Sequence, residues 1–444
     1  MLVEYKKRWK KFLVAGATMA LVAGMGSTLP SAYAGGKIGT DNENQWISIG
    51  MGVRTSLNAL EHGSANGGSW SNTFNIDNAR IYINGKIHKY VGFEFNTECF
   101  SCNGAQGGGG GAQISTDTSN IGLLDAIGKF EFNQYVNLWV GRLLVTGARD
   151  ELNGPFYAAM YESFKTPFNS ADFRGTFGNG GAGRYGRDNG VTFWGQVDPG
   201  FGHLQYSVGV YTGLQSCGGC VTTPAATYGG TPTTGPGGPN QQNSVLWAGR
   251  LTYNLLNPEK NPGYYTSNTY YGTAGDILAL AVGMNHQQNG AGSFAAPSDL
   301  TVFVSDLLFE KPLANDGGVI TVTGEFKQYF ANYNQNVAFA SVPAGECFCI
   351  FDGMSYQGAA LFLIPNEIGI GRFQPYARYT SVQPNNSAQR NETEGGVNYI
   401  ISGHNARISF FSQYGNLASL GSNYSPTATG NNDYAVKLAL QVQY

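Results

Sequence analysis

The six cysteines of this 444-residue chain come in three close pairs, Cys99/Cys102, Cys217/Cys220 and Cys347/Cys349. Neither C-x-x-C pair is followed by histidine, which argues against covalent c-type haem. The pairs lie roughly a hundred residues apart, which is not the spacing of a zinc finger. Three readings stay open: disulfides that fix loop tips in an oxidising compartment, a surface metal or redox site, and free thiols.

Residues 147–186 form a second concentration of reactive side chains, beginning GARDELNGPFYAAMYESFKTPFNSADFRGTFG. A strandless stretch of about 40 residues is unusual without a function. As a surface loop its charges would simply be solvated. Folded into a channel, they would set an electrostatic barrier to ions of the wrong sign. The basic candidates are Arg149, Lys165, Arg174, Arg184 and Arg187, and the acidic ones are Asp150, Glu151, Glu162, Asp172 and Asp188.

The elements that must position these residues are strands. Apolar and polar residues alternate with period two along many segments, as in a strand with one apolar and one polar face. These segments mostly exceed the ~5–6 residues of a globular strand. Charged residues fall on one face and aromatic residues recur near the ends, which is typical of a membrane barrel with a wet lumen. The sequence therefore predicts an all-β, transmembrane antiparallel β-barrel.

Counting the segments predicts sixteen strands, an even number that suits a closed single-chain barrel. Short periplasmic turns such as KIHK and SGHN alternate with longer extracellular loops rich in Gly, Asn, Ser and Pro. The stretch from Asn257 to Gly275 is too long for this pattern and allows a count different by two. The predicted strands cover residues 45–57, 74–86, 89–98, 120–133, 135–146, 187–197, 203–214, 245–256, 276–287, 299–311, 318–331, 355–364, 371–382, 392–402, 405–416 and 432–444.

The last predicted strand, DYAVKLALQVQY, has Tyr434, Leu438 and Tyr444 on its apolar face and Lys437 and Gln441 on the other. In hydrocarbon, this strand has to pair with the first, because an open edge would leave backbone groups unpaired. The outward face would then meet lipid, with Tyr444 in the interfacial belt. A terminal aromatic of this kind also resembles the signal that outer-membrane proteins present to the barrel assembly machinery.

Residues 1–34 have the pattern of a secretory signal peptide: a basic start, the apolar run FLVAGATMALVAGM and the Ala32-Tyr33-Ala34 site. The apolar run is too short to span a membrane comfortably. Removal would leave one domain, residues 35–444, outside the bacterial cytoplasm. The formal charge of the whole chain is already −3 and only 12% of residues are charged, so a nucleic-acid partner is not expected.

The alternation along each strand predicts which of its charged residues would face the lumen. The basic candidates are Arg80, Arg250, Lys327, Arg378, Arg407 and Lys437, and the acidic ones are Glu94, Glu131, Glu325 and Glu394. The mixture could select ions or could merely solvate a wet wall.

Four stretches resemble the phosphate-selective porin O and P family: FNIDNARIYINGKIHKYVGFEFNTE (74–98), LWVGRLLVTGARDELNGPF (138–156), GRFQPYARYTSV (371–382) and TEGGVNYIISGHNARISFFSQYG (393–415). The resemblance implies sixteen strands, a homotrimer and a third outer loop, here 147–186, folded into the pore. Selective members of that family line the pore with arginines and lysines, whereas this chain also has acidic residues on the same faces. The resemblance thus implies a porin without specifying phosphate.

Enzymatic motifs do not stand out. The histidines are scattered, and the sequence contains no nucleophile elbow, no H-E-x-x-H and no phosphate-binding loop. We expect a non-enzymatic outer-membrane porin for small hydrophilic solutes, mainly ions, without cofactor or resident metal. Its expected partners are outer-membrane lipids, lipopolysaccharide and two further copies of itself. The alternative is a surface metal-binding or redox partner protein that uses the cysteine-containing loops.

Overall fold

The computed structural model describes residues 36–39, 42–99, 102, 121–167, 186–214, 221–222, 233–234, 239–293, 296–332, 347–348, 351–421, 424 and 426–444. The predicted signal peptide, residues 1–34, lies outside this part of the chain. Arg174, Arg184 and Asp172 of the predicted constriction loop also lie outside it.

Sixteen long strands form the barrel, and they coincide with the sixteen predicted segments. The prediction of a closed antiparallel barrel is confirmed. The strands are β1 Trp46–Leu60, β2 Ser71–His88, β3 Val91–Cys99, β4 Ile121–Glu131, β5 Asn137–Leu144, β6 Arg187–Val197, β7 His203–Tyr211, β8 Leu246–Asn254, β9 Ile277–Ser293, β10 Pro297–Pro312, β11 Val319–Phe330, β12 Gly353–Leu363, β13 Arg372–Pro384, β14 Arg390–Ser402, β15 Ala406–Gly415 and β16 Asp433–Gln443.

Each strand pairs antiparallel with the next in sequence, and β16 pairs with β1 to close the ring. At this seam Gly52 lies opposite Gln443 and Leu60 opposite Ala435. Met51 and Tyr444 extend the seam by exchanging two backbone hydrogen bonds of 2.8 Å. Every edge of the sixteen strands is therefore paired, which satisfies the backbone in a medium without water.

The alternation of the strands sorts side chains between lipid and lumen. On β16, Tyr434, Leu438 and Leu440 are exposed on the outer surface, while Lys437 and Gln441 are buried inside. The same division runs along β8, where Trp247 and Leu251 point outward and Arg250 inward. Apolar side chains outside and polar side chains inside are the pattern of a barrel embedded in lipid.

Regular structure outside the barrel strands is sparse in the described residues. Two helices occur, α1 Arg149–Asn153 and α2 Leu417–Leu420. Two short strands, Gly36–Gly39 and Cys347–Phe348, pair onto the barrel strands, and Val221–Thr222 pairs with Thr233–Thr234. Neither helix is long and apolar enough to cross a membrane.

The connections differ from the sequence prediction at one end of the barrel. The β9–β10 connection spans only residues 294–296, because β9 ends six residues after its predicted end and β10 begins two residues before its predicted start. The β13–β14 connection, residues 385–389, is also short. The long stretch between β8 and β9 contains neither a strand nor a helix, so the predicted count of sixteen is unchanged.

Candidate functional site

The described part of the predicted constriction loop, residues 147–167, lies inside the barrel. Helix α1 is fixed against neighbouring strands by charged contacts. The Arg149 Nε is 3.1 Å from the Asp306 carboxylate of β10, and Glu151 lies 2.7 Å from Lys327 of β11. The backbone N–H of Asp150 donates to Glu325 at 3.2 Å. The first turn of the loop is therefore attached to one side of the lumen.

The next segment, Phe156–Glu162, is held along the wall by side chains that donate to its backbone carbonyls. Arg407 of β15 donates to Ala158 at 2.7 Å and to Ala159 at 3.1 Å. Arg54 of β1 donates to the Tyr161 carbonyl, and Arg378 of β13 donates to the Glu162 carbonyl. Three arginines of the lumen wall are therefore used to fix the loop.

Uncharged side chains complete this attachment. Gln441 of β16 donates to the Phe156 carbonyl at 2.9 Å, and Asn398 of β14 donates to Ala159 at 3.0 Å. The Tyr161 hydroxyl donates to the Thr55 carbonyl at 3.1 Å. With α1 on β10 and β11 and this segment on β13 to β16 and β1, the loop follows roughly half of the inner circumference.

Glu162 is the centre of a charge cluster within the loop. Its carboxylate lies 2.5 Å from Lys165 and is also paired with Lys437 of β16. Gln413 donates to it at 2.7 Å, and Lys165 is shared with Glu392 of β14 at 2.9 Å. Opposite charges are thus paired at close range.

Charged pairs also line the wall formed by β2 to β6. Lys129 lies 2.5 Å from Glu94, and Arg187, the first residue of β6, lies 3.0 Å from Asp125. Arg80 is paired with Glu98. Such pairs keep the net charge of this part of the wall near zero, because each buried charge faces an opposite one.

The remaining predicted lumen residues have partners of the same kind. Arg250 donates to Asp306 at 2.5 Å, and Glu394 accepts from Tyr376 at 2.9 Å and is paired with Arg378. Glu131 accepts from the Trp139 indole at 3.2 Å. Asp188, at the start of β6, accepts from the Gly213 backbone at 2.6 Å. These residues all project inward, but the structure distributes them around the wall rather than gathering them in one site.

Several charged residues of the site were missed by the sequence prediction. They have inward parity on their strands, so parity could have found them, but most of them are distant in sequence from their partners. They are Arg54, Glu98, Asp125, Lys129, Asp306, Glu310, Arg390 and Glu392.

Among the ionisable groups of the loop, Asp150 and Lys165 have pKa values shifted towards neutral pH. Burial, together with the nearby charge of Glu325, raises the pKa of the Asp150 carboxyl to about 7. Burial lowers the pKa of the Lys165 ammonium, opposed by the charge of Glu392. Asp150 is therefore a group in the loop whose charge changes near neutral pH.

The structure describes three of the six cysteines, Cys99, Cys102 and Cys347. Cys99 and Cys102 are joined by a disulfide with a Cα–Cα distance of 5.6 Å. Cys347 begins a two-residue strand, and Cys217, Cys220 and Cys349 lie outside the described residues. The pairing of these four cysteines and the metal or redox hypothesis stay predictions.

Known structures share this fold over most of the chain but have little sequence identity with it. OprB of Pseudomonas putida superposes with a TM-score of 0.52 at 8% identity, over 90% of this chain and 94% of that chain. OmpF of Salmonella typhi, solved in complex with daunomycin, superposes with a TM-score of 0.50 at 9% identity, over 92% of this chain and 100% of that chain. No family model and no curated protein matches the sequence.

The fold is that of an outer-membrane β-barrel. At identities this low the superpositions establish the architecture alone. Together with the closed ring and the apolar outer surface, they place the protein in the bacterial outer membrane. The specific resemblance to the phosphate-selective porins stays a prediction.

Proposed function

We propose that this protein is an outer-membrane porin through which small hydrophilic solutes, chiefly ions, diffuse down their gradients. The observation that carries the proposal is a loop packed inside a closed sixteen-strand barrel whose inner wall is polar and charged. A water-filled barrel narrowed by such a loop excludes solutes by size and discriminates among ions by charge. The proposal needs no catalytic group, cofactor or resident metal.

The charge arrangement supports weak rather than strong ion selectivity. Inward arginines and lysines are paired with carboxylates, for example Lys129 with Glu94 and Lys327 with Glu151. Arg54, Arg378 and Arg407 donate to carbonyls of the loop. These cations are therefore occupied by fixed partners, which argues for a general ion pore rather than a phosphate-specific one.

The proposal includes the environment of the protein. Export would remove residues 1–34, and the assembly machinery would recognise β16 with its outward aromatic residues. The mature barrel would form a homotrimer surrounded by outer-membrane lipids and lipopolysaccharide.

Planar-bilayer recording tests this function. Purified protein is reconstituted, and conductance and reversal potential are measured in a KCl gradient. We expect stepwise conductance in groups of three and a reversal potential near zero. Block by low phosphate concentrations would instead indicate a phosphate-selective channel. Absence of conductance from folded, heat-modifiable protein would refute the porin.

Thiol chemistry separates the porin from the redox alternative. A porin should conduct equally before and after reduction of Cys99–Cys102 and the other cysteines. A metal-binding or redox protein should bind metal stoichiometrically, or lose its activity on reduction while the barrel stays folded.

A further inference from the structure

The connection between β8 and β9 is an insertion into an otherwise ordinary hairpin. The Asn257 backbone N–H donates to the Asp276 carbonyl at 3.0 Å, and Leu255 donates to Leu278 at 2.8 Å. Antiparallel pairing thus continues to Asn257 and Asp276, where a two-residue turn could close the hairpin. Residues 258–275, here called the inner segment, leave this point and fold back into the barrel.

One part of the inner segment packs against the wall near β5. The rings of Tyr264 and Tyr265 lie 5.3 and 5.1 Å from the Trp139 ring. The Tyr264 hydroxyl donates to the Leu144 carbonyl at 2.6 Å, and Gln205 of β7 donates to the Gly263 carbonyl at 2.8 Å. This part is fixed by aromatic packing and by hydrogen bonds.

Another part contacts distant strands. Glu310 of β10 accepts hydrogen bonds from Thr269 Oγ1 at 2.6 Å and from the Tyr270 backbone at 3.0 Å. His404, in the β14–β15 turn, lies 3.2 Å from the Ser267 hydroxyl, and its ring centroid is 4.9 Å from that of Tyr271. Contacts with β5, β10 and the β14–β15 turn are spread around the ring of sixteen strands, so the inner segment crosses the lumen.

The inner segment also touches the constriction loop directly. Glu259 accepts two hydrogen bonds of 2.7 Å from the Arg149 guanidinium. Asn268 donates to Asp150 at 2.6 Å, and Thr266 donates to the Arg149 carbonyl at 2.7 Å. The two elements therefore meet inside the barrel, where Glu259, Arg149 and Asp306 form a buried charge triad.

We infer that the inner segment is a second pore-narrowing element, which enters from the end of the short turns and limits solute size together with the constriction loop. Glu259 is its charge-selecting residue. Without Glu259, the single carboxylate of Asp306 would face both Arg149 and Arg250, leaving a net positive charge. This inference rests on the proposed porin function.

Shortening the hairpin tests the inference. Residues 258–275 are replaced by Asn-Gly, which closes the ladder between Asn257 and Asp276. The matched control replaces Ala314–Gly317, the β10–β11 turn at the same end, by the same dipeptide. We expect the shortened β8–β9 variant to conduct more than wild type and to admit larger sugars in liposome swelling, with the control unchanged.

The outcomes separate the inference from the proposed function. Equal conductance and equal solute limits in wild type and a folded shortened variant would overturn the inference and leave the porin intact. A silent wild type beside a conducting variant would overturn both, since the segment would then plug the barrel rather than limit solute size in an open porin. Silence of both folded proteins would refute the porin, and the inference with it.

A single substitution tests the proposed role of the Glu259 carboxylate. Glu259→Gln should move the reversal potential in a KCl gradient towards anion preference. Asp316→Asn removes an exposed carboxylate at the same end and should leave the potential unchanged. Equal potentials in wild type and folded Glu259→Gln protein would overturn the role of Glu259. Equal shifts in both variants would also overturn it, because they would reflect general surface charge.

Discussion

Neutralising Glu162 should change the ion preference of the pore. Its carboxylate is the shared partner of Lys165 and Lys437 in the described loop. Glu162→Gln keeps the shape and leaves Lys165 with Glu392, but Lys437 loses its charged partner. The lumen then gains one net positive charge at the constriction.

The size of the effect follows from Coulomb's law. A unit charge about 6 Å from the path of an ion, in water, changes its free energy by about 0.7 kcal/mol. The change has opposite sign for K⁺ and Cl⁻, so their difference is about 1.4 kcal/mol, or roughly tenfold in permeability ratio. Screening at a Debye length of about 10 Å reduces this to roughly fourfold.

The assay is the reversal potential of reconstituted protein in a KCl gradient. Lys437→Met is the mirror control, since it removes a positive charge from the same pair and should shift the potential towards cations. The double variant should return close to wild type. The reasoning is refuted if folded Glu162→Gln and Lys437→Met channels shift in the same direction, or if neither differs from wild type.

Three further outcomes are expected. Arg407→Met removes a guanidinium that donates to consecutive loop carbonyls. Losing about 3 kcal/mol of net stabilisation should raise the population of the displaced loop roughly a hundredfold, which would appear as open-channel noise. Arg407→Lys should be intermediate, and a quiet Arg407→Met channel contradicts the role of Arg407 as an anchor. Because the pKa of Asp150 is raised to about 7, cation preference should increase from pH 6 to 8. The proton that the folded state holds more tightly stabilises it, so this contribution to folding stability should be lost as the pH rises from about 4 to about 7. Asp150→Asn should remove both pH effects, and their persistence would exclude Asp150. Leu438→Arg puts a charge on the lipid face in the middle of β16 and should cost about 2–4 kcal/mol of stability in lipid vesicles by urea titration, against about 0–1 for Leu256→Arg beyond the end of β8. Equal costs would contradict the placement of Leu438 against the lipid core.

The sequence by itself determined the barrel. Period-two alternation marks each strand, because side chains on a strand point alternately to opposite faces. Leu438 and Lys437 on β16 could thus be assigned to lipid and lumen without any tertiary contact. The even strand count and the seam between β16 and β1 follow from the need to pair every backbone group in hydrocarbon.

The tertiary structure decided which inward residues meet. Glu162 and Lys437, or Arg149 and Glu259, are far apart in sequence, and no local pattern links them. The anchoring of Phe156–Glu162 uses backbone carbonyls, which every residue has, so no side-chain signal identifies them as acceptors.

The inner segment shows most clearly what the sequence pattern could not predict. Its length marked residues 257–275 as unusual, but did not indicate the direction in which they fold. That direction depends on Trp139, Glu310 and His404 lying around one lumen. Only the closed ring brings these residues together, because strand alternation fixes the face of a residue and not its neighbour across the barrel.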